Sequence, residues 1–348
     1  MSRRSLLALA VLAHVLLAAS PASAAGAADR LDRFRALAVT RLSLAEAGDP
    51  ERAADTYREL YALLDEEIVE SLAGGGVFAA PAFLQDRLDG FAEAWGGASL
   101  RLVRVANLTV GAFHLGDAPG GSSVRIYGSP REEPQLIAAF HRDGRPTVHP
   151  VPSRAGATFL VLWEGVATGR GSRALRLELV RHRDEDVRVT WSSVALFPEG
   201  LAARHWHVRG TEVRVRYELR YPGWIPGCEP QTEQEDVLRL TAEADGFARV
   251  VRRQHNAWHL ALHRAVEDLL GAMAGGHGPA LAVLVPDPQL RQKLPSRLER
   301  ETACDAPDGP EPAAVSVAAS AGNHAPWALT FRRSGGRWRL TAATPVLH

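Results

Sequence analysis

The spacing of hydrophobic positions changes twice along the chain. From Asp29 to Gly97 apolar residues return every three or four places. Leu31, Phe34, Leu37, Ala38 and Leu42 form a first run, Ala53, Ala54, Tyr57, Leu60, Tyr61 and Leu64 a second, and Phe83, Leu84, Leu88, Phe91 and Trp95 a third. That spacing places each set on one side of a helix. Asp49-Pro50-Glu51 offers the second run an N-cap, a first-turn proline and a dipole-matched acid, and Gly74-Gly75-Gly76 ends it. From Ser99 to about Thr241 the period falls to two. Leu175, Leu177 and Leu179 alternate with Arg176 and Glu178, and Val187, Val189 and Trp191 alternate with Arg188 and Thr190. Val213, Val215, Tyr217, Leu219 and Tyr221 do so with Arg214, Arg216, Glu218 and Arg220. Such alternation predicts antiparallel strands with one buried and one wet face. Asp143-Gly144 reads as a hairpin turn, and glycine-rich joints recur at 116–122 and 165–172. Roughly eight or nine strands fit this stretch at ordinary strand lengths, as a sandwich, an open barrel or a few propeller blades.

From Asp245 a helical run returns through Trp258, Leu262, Val266, Leu269 and Met273. A Gly/Pro-rich passage, strands at Val315 and Val317, and a terminal hairpin follow. In the hairpin Trp327, Leu329 and Phe331 face inward, Ser334-Gly335-Gly336 turns, and Trp338 and Leu340 return. The fold class expected is therefore α+β: a helical region over 25–98, a central antiparallel β domain over 99–241 and a small α+β unit over 242–348.

Residues 1–24 have a different character. Arg3 and Arg4 precede an apolar stretch from Leu6 to Ala19, and Ala22-Ser23-Ala24 follows, the layout of a cleavable export signal with Ala25 as the mature start. The apolar run is short for the roughly 20 residues that cross a bilayer, so stable membrane insertion after cleavage is not expected. Ser2-Arg3-Arg4-Ser5-Leu6-Leu7 resembles a twin-arginine signal, which leaves the choice of export route open. The compartment expected is periplasm or medium.

Composition narrows the function classes. The 348 residues are 46% hydrophobic and 23% charged, with 40 basic against 40 acidic side chains, which excludes wholesale disorder and a polybasic nucleic-acid coat. No nucleic-acid partner is expected. Lys293 is the sole lysine, and this arginine dominance with abundant alanine and glycine points to a GC-rich bacterial genome. Cys228 and Cys304 are the only cysteines. In an oxidising compartment, and in turn-rich polar stretches, they are expected to pair.

Three stretches carry resemblances. Gly48-Asp49-Pro50 with Ala53, Ala54 and Tyr57 resembles the corner of one tetratricopeptide repeat, although stacked repeats need about three units. Phe140-His141-Arg142-Asp143-Gly144 resembles the Asp-x-Asp-Gly calcium loops of integrin-type propellers, but His141 replaces the first ligand acid, so no calcium is expected. The long helix followed by a hairpin ending in Trp338-Arg339-Leu340 resembles the C-terminal half of NTF2-like, cystatin-like α+β domains, which implies a curved sheet packed on that helix.

Candidate chemistry is sparse. His255, His259, His263 and Glu267 recur every four residues, yet a helix drifts about 40° per such step, so at most one pair could share an ion with outside ligands. With no third ligand evident, a polar helix shoulder is expected and neither metal nor other cofactor. His205 and His207 flank Trp206 on a strand between Arg204 and Arg209, and are expected on a wet face. No nucleophile elbow, metalloprotease helix motif or phosphate loop occurs. The stretch Tyr217–Asp236 joins a strand to a Pro/Gly-rich loop with Trp224, Cys228 and then Glu229, Gln231, Thr232, Glu233, Gln234, Glu235 and Asp236. Aromatic faces beside amides and carboxylates suit a small molecule, a glycan or a protein surface. Tyr221, Trp224, Glu229, Gln231 and Glu233 are the candidate ligand-binding residues of a non-catalytic binding or envelope-associated protein. The alternative is a hydrolase of cell-wall or polysaccharide substrates using Glu218, Glu229 and Glu233 as acids. The processing reading is checked by N-terminal sequencing of exported material, which should begin at Ala25; a folded, functional product that starts at Met1 would refute it.

Overall fold

The structure, a computed structural model, describes residues 21–40, 50–153, 156–168, 171–184, 186–322 and 324–346. The apolar Leu6–Ala19 stretch expected to be the core of an export signal, the Gly48-Asp49 corner and the Gly169-Arg170 turn lie outside the described residues. Six helices and 17 strands are described, and the strands pair antiparallel in three open sheets, none closed into a barrel. No described helix is long and apolar enough to cross a membrane. The chain divides into two compact units, one of residues 1–165 and 177–192, the other of 166–176 and 193–348.

The first unit begins with helices α1 (Pro21–Ala38), α2 (Pro50–Gly74) and α3 (Pro81–Trp95). They are followed by the sheet β1 (Ser99–Val105), β2 (Leu108–His114), β3 (Ser122–Gly128) and β4 (Gln135–His141), paired in chain order. Every residue of β2 and β3 is buried, so the middle of this sheet has no wet face, while the edge strands β1 and β4 keep exposed residues. Period-two alternation explains how both faces find apolar partners. Leu100, Phe113, Leu115 and Tyr127 join Phe34, Tyr57, Leu60, Leu64, Leu88, Phe91 and Trp95 in a core under the helices. Val105, Val110, Ala112, Val124 and Ile126 face the other way, against Phe159, Val161, Trp163 and Val180. These belong to β6 (Ala157–Ala167) and β7 (Arg173–Arg183), alongside β5 (Arg145–Pro150) and β8 (Asp186–Ser192). The layers are thus helices, sheet and sheet, and the second interface is sandwich-like.

Asp143-Gly144 does not make the expected hairpin. β4 pairs with β3 and β5 pairs with β6, so this turn carries the chain from one sheet to the other. Its glycine is required there: φ is +96° and a Cβ would lie 2.8 Å from the Glu164 carbonyl. Local pattern fixes a turn, and the need for a second layer over a sheet with apolar residues on both faces decides where the next strand goes.

Buried acids in this unit are met by arginine. Glu67 pairs with Arg30 and Arg87, and Glu178 accepts from Arg142 and from the Trp163 indole. Asp65 binds Arg125 through both carboxylate oxygens and accepts from the Tyr127 hydroxyl at 2.7 Å. Burial pushes the Tyr127 phenol well up, which keeps it a donor. Removing one partner would strand a buried guanidinium and a buried phenol. Asp65→Ala should therefore cost about 3 to 5 kcal/mol in urea unfolding, whereas Asp55→Ala, in an exposed pair with Arg58, should cost under about 1 kcal/mol.

Candidate functional site

In the second unit the strands β9 (Ala202–Arg209), β10 (Glu212–Glu218), β11 (Glu233–Leu240) and β12 (Phe247–His255) pair in sequence. Helix α4 (Ala257–Ala274) follows directly. Its Leu262, Val266 and Leu269 pack with Val315, Val317, Leu329, Phe331, Trp338 and Leu340. Those residues lie on β15 (Ala314–Ala321), β16 (Pro326–Ser334) and β17 (Arg337–Pro345). The terminal hairpin turns where expected, with Ser334 opposite Arg337 and positive φ at Gly335 and Gly336.

The long helix is shorter at its start than the histidine spacing suggests. Asn256 takes φ +51°, ψ 43°, so the helix begins at Ala257 and His255 ends a strand instead. That leaves His259 and His263 one turn apart, and both are 3% exposed, not on a polar shoulder. Each Nε2 lies 2.7 Å from Asp305 Oδ2. Glu267 takes no part; it pairs with Arg300. Asp305 follows Cys304, and Cys304 is bonded to Cys228 with the Cα atoms 5.5 Å apart, as the cysteine reading expected. The bridge thereby ties the carboxylate to the Trp224 loop.

That loop completes the cluster. The Tyr221 hydroxyl lies 2.7 Å from His259 Nδ1 and accepts from the Thr232 backbone N–H at 2.9 Å. The pattern assigns donation from the phenol to Nδ1 and from Nε2–H to Asp305. Burial holds His259 below its ordinary pKa against the opposing pull of Asp305. Burial pushes the Asp305 carboxyl up, but the hydrogen bonds from both imidazoles outweigh it and leave it below the carboxylate range. Gly223, with φ +91°, lies flat on His263: a Cβ there would sit 1.9 Å from Nδ1. The Thr232 hydroxyl accepts from Leu260 N–H at 3.0 Å and donates to the Asn256 carbonyl, satisfying an otherwise orphaned donor in the first turn of α4.

The other residues of the stretch have varied placements. Trp224 is half-buried, with the Arg220 guanidinium 5.5 Å from its ring centre. Its indole N–H is buried without a partner among the described residues. Gln231 is buried and spends its amide inside the loop, on Ile225 N, Ile225 O and Cys228 O. Glu229 is exposed beside Arg204, and Glu233 is buried in β11 between Arg204 and Arg216. Glu218 accepts from Ser172. Asp236, fully buried, is held by Arg249, Arg252 and the Tyr217 hydroxyl, and burial helps push that phenol up to about 12. His205 and His207 are exposed on β9, opposite Arg216 and Arg214.

Two concavities adjoin the loop residues. One of about 70 Å³ is lined by Gly223, Trp224, His263, Arg300 and Asp305. The other, about 420 Å³, includes Phe197, Glu199, Tyr217, Glu218 and Arg220. Asp305 is the site residue that sequence spacing did not supply. Its signal was its place next to Cys304, because a bridge to Cys228 brings position 305 to the loop that begins at Tyr221.

The disulfide closes a separation of 76 residues, for which chain entropy gives roughly 4 kcal/mol. Non-reducing peptide mapping should recover the Cys228–Cys304 pair, and reduction should lower the unfolding free energy measured in urea by no more than that amount; an unchanged free energy would show that the bridge constrains nothing.

No family model and no curated protein matches this chain. Among solved structures it is similar to a candidate 6-phosphogluconolactonase from Bacteroides fragilis NCTC 9343, with 11% identity, TM-score 0.17, and coverage of 71% of this chain and 70% of that one. A second, from Bacteroides uniformis ATCC 8492, has 10% identity, TM-score 0.18 and coverage of 71% and 70%. At those scores the likeness carries no inference to fold or activity.

Proposed function

We propose that the chain is an exported, non-catalytic binding protein of the bacterial envelope or medium, whose ligand meets the loop carrying Trp224. The observation that carries this reading is the rigidity of the loop around a half-buried indole. The Cys228–Cys304 bridge anchors it, the Gln231 amide staples Ile225 to Cys228, and Tyr221 is held by His259 and Thr232. A side chain fixed in advance loses little entropy when a ligand arrives.

Chemistry around the indole suits a short glycan. Trp224 offers an aromatic face, Arg220 adds a guanidinium over it, and Arg220 also lines the 420 Å³ concavity with Glu199 and Glu218. Stacking plus fixed polar partners is how such surfaces orient sugars. Hydrolysis by paired carboxylates finds no support in Glu218, Glu229 or Glu233, which are engaged by Ser172, Arg204 and Arg216. The disulfide supports an extracytoplasmic location, where such bonds persist. The packing of α4 on β15–β17 supports the likeness of 242–348 to NTF2-like domains as a proposal about fold alone.

Chito-oligosaccharides, cello-oligosaccharides and muropeptides, titrated calorimetrically, are suitable probes. Trp224→Ala should weaken the best of them by about 1 to 3 kcal/mol, as for loss of a desolvated aromatic anchor, while circular dichroism stays unchanged. Wild-type protein that binds none of these probes would refute the glycan reading, and a Trp224→Ala chain that unfolds would return the indole to a structural role.

A further inference from the structure

We propose that His259, His263 and Asp305 form a site for one divalent transition-metal ion of the zinc type, with Tyr221 as the positioning residue behind His259. The proposal is independent of the glycan reading. Its first ground is geometric. The two Nε2 atoms and one Asp305 carboxylate oxygen all lie within 4.8 Å of one another, and both nitrogens point at the same oxygen. A pair of histidines four apart on a helix plus a carboxylate from elsewhere is a common donor set for zinc. Zinc bonds of about 2.0 to 2.2 Å in a tetrahedron place neighbouring ligand atoms roughly 3.3 Å apart. The present 2.7 Å contacts would therefore open by roughly 0.6 Å to admit the ion.

The second ground is charge. Every other buried acid among the described residues has an arginine: Glu67, Glu178, Glu233 and Asp236 are paired with Arg30, Arg142, Arg204 and Arg252 among others. Asp305, with its side chain 7% exposed, has only the two imidazoles as ion-pair partners there. Imidazole lacks the constant charge of a guanidinium, and a divalent cation held between the rings and the carboxylate would supply a full counter-charge. The exposed His205 and His207 lack this character, because Arg216 and Arg214 stand opposite them.

Proton bookkeeping closes without release to solvent. Each imidazole shifts its proton from Nε2 to Nδ1 and offers the freed Nε2 lone pair to the ion. His259 Nδ1–H then donates to the Tyr221 oxygen, which also keeps the Thr232 N–H, while the phenol's own hydrogen rotates away from Nδ1 and stays on the oxygen. Outer partners of this kind fix the tautomer of a ligating histidine. His263 Nδ1 is buried without a partner, and that holds for either tautomer. The fourth position falls to the 70 Å³ cavity, whose wall includes His263, Asp305 and Trp224, a space larger than the roughly 30 Å³ share of one water. The unpartnered indole N–H of Trp224 is a donor suited to an oxygen ligand there.

Full-length mature protein, stripped with chelator and dialysed, should bind one equivalent of Zn²⁺ by titration calorimetry, and Co²⁺ should give the intense visible bands of a tetrahedral site. Tyr221→Phe should weaken Zn²⁺ by about 10- to 100-fold, the usual consequence of losing an outer-shell partner. His263→Ala combined with Asp305→Asn should abolish binding, and His277→Ala should leave it unchanged. Ring resonances of His259 and His263 in the wild-type protein should move on adding Zn²⁺, which locates the ion even if the double variant does not fold. Wild-type protein that takes up no stoichiometric zinc, or zinc binding that leaves those two rings unmoved, overturns the proposal.

Discussion

Asp305 Oδ2 faces two imidazoles at 2.7 Å, one helical turn apart on α4, and the Trp224 loop, the start of α4 and the disulfide converge on that shared oxygen. Holding it there needs a residue that cannot drift, and Cys304 immediately before it is covalently tied to Cys228. Holding the helix end needs its first-turn donors satisfied, which Thr232 does from the far side of the same loop. Bringing loop to helix needs a residue without a Cβ at the contact, and Gly223 is that residue. The bridge, the cap and the glycine therefore act on one feature.

The cluster stands apart from the treatment of acids elsewhere in the protein. Asp65, Glu67, Glu178, Glu233 and Asp236 each lie beside a guanidinium, whose fixed fork and constant charge make a buried carboxylate tolerable. Imidazole does this less well, since it is mostly neutral near neutral pH. A chain with 40 basic residues and one lysine has arginine in plenty, yet uses histidine here. The same substitution of partner is what makes the position suitable for a cation.

The loop at Trp224 and the histidine helix read as separate candidates in the sequence, one for a ligand and the other without a converging partner. Folded, they adjoin: Trp224 and His263 line one cavity, and Tyr221 hydrogen-bonds His259. Part of the polar run after Cys228 also changes meaning. Gln231 and Glu233 are turned inward to hold loop and strand, and Glu233 begins β11, which a run of amides and acids does not advertise because strand propensity there is weak.

The sequence by itself determined the helical and antiparallel segments, the terminal hairpin and the pairing of its two cysteines. Each of these rests on a local period, a turn residue or a count. Tertiary structure alone decided three further things: that both faces of the central strands β2 and β3 are covered, that Asp143-Gly144 links two sheets, and that Asp305 meets His259 and His263. Periodicity reports which side of an element is apolar but not what will cover it, so sheet partners stay open. Nor does spacing reveal a partner 42 positions away from His263; the disulfide at Cys304 and the pairing of Ala306 and Pro307 with β15 bring that carboxylate to the helix.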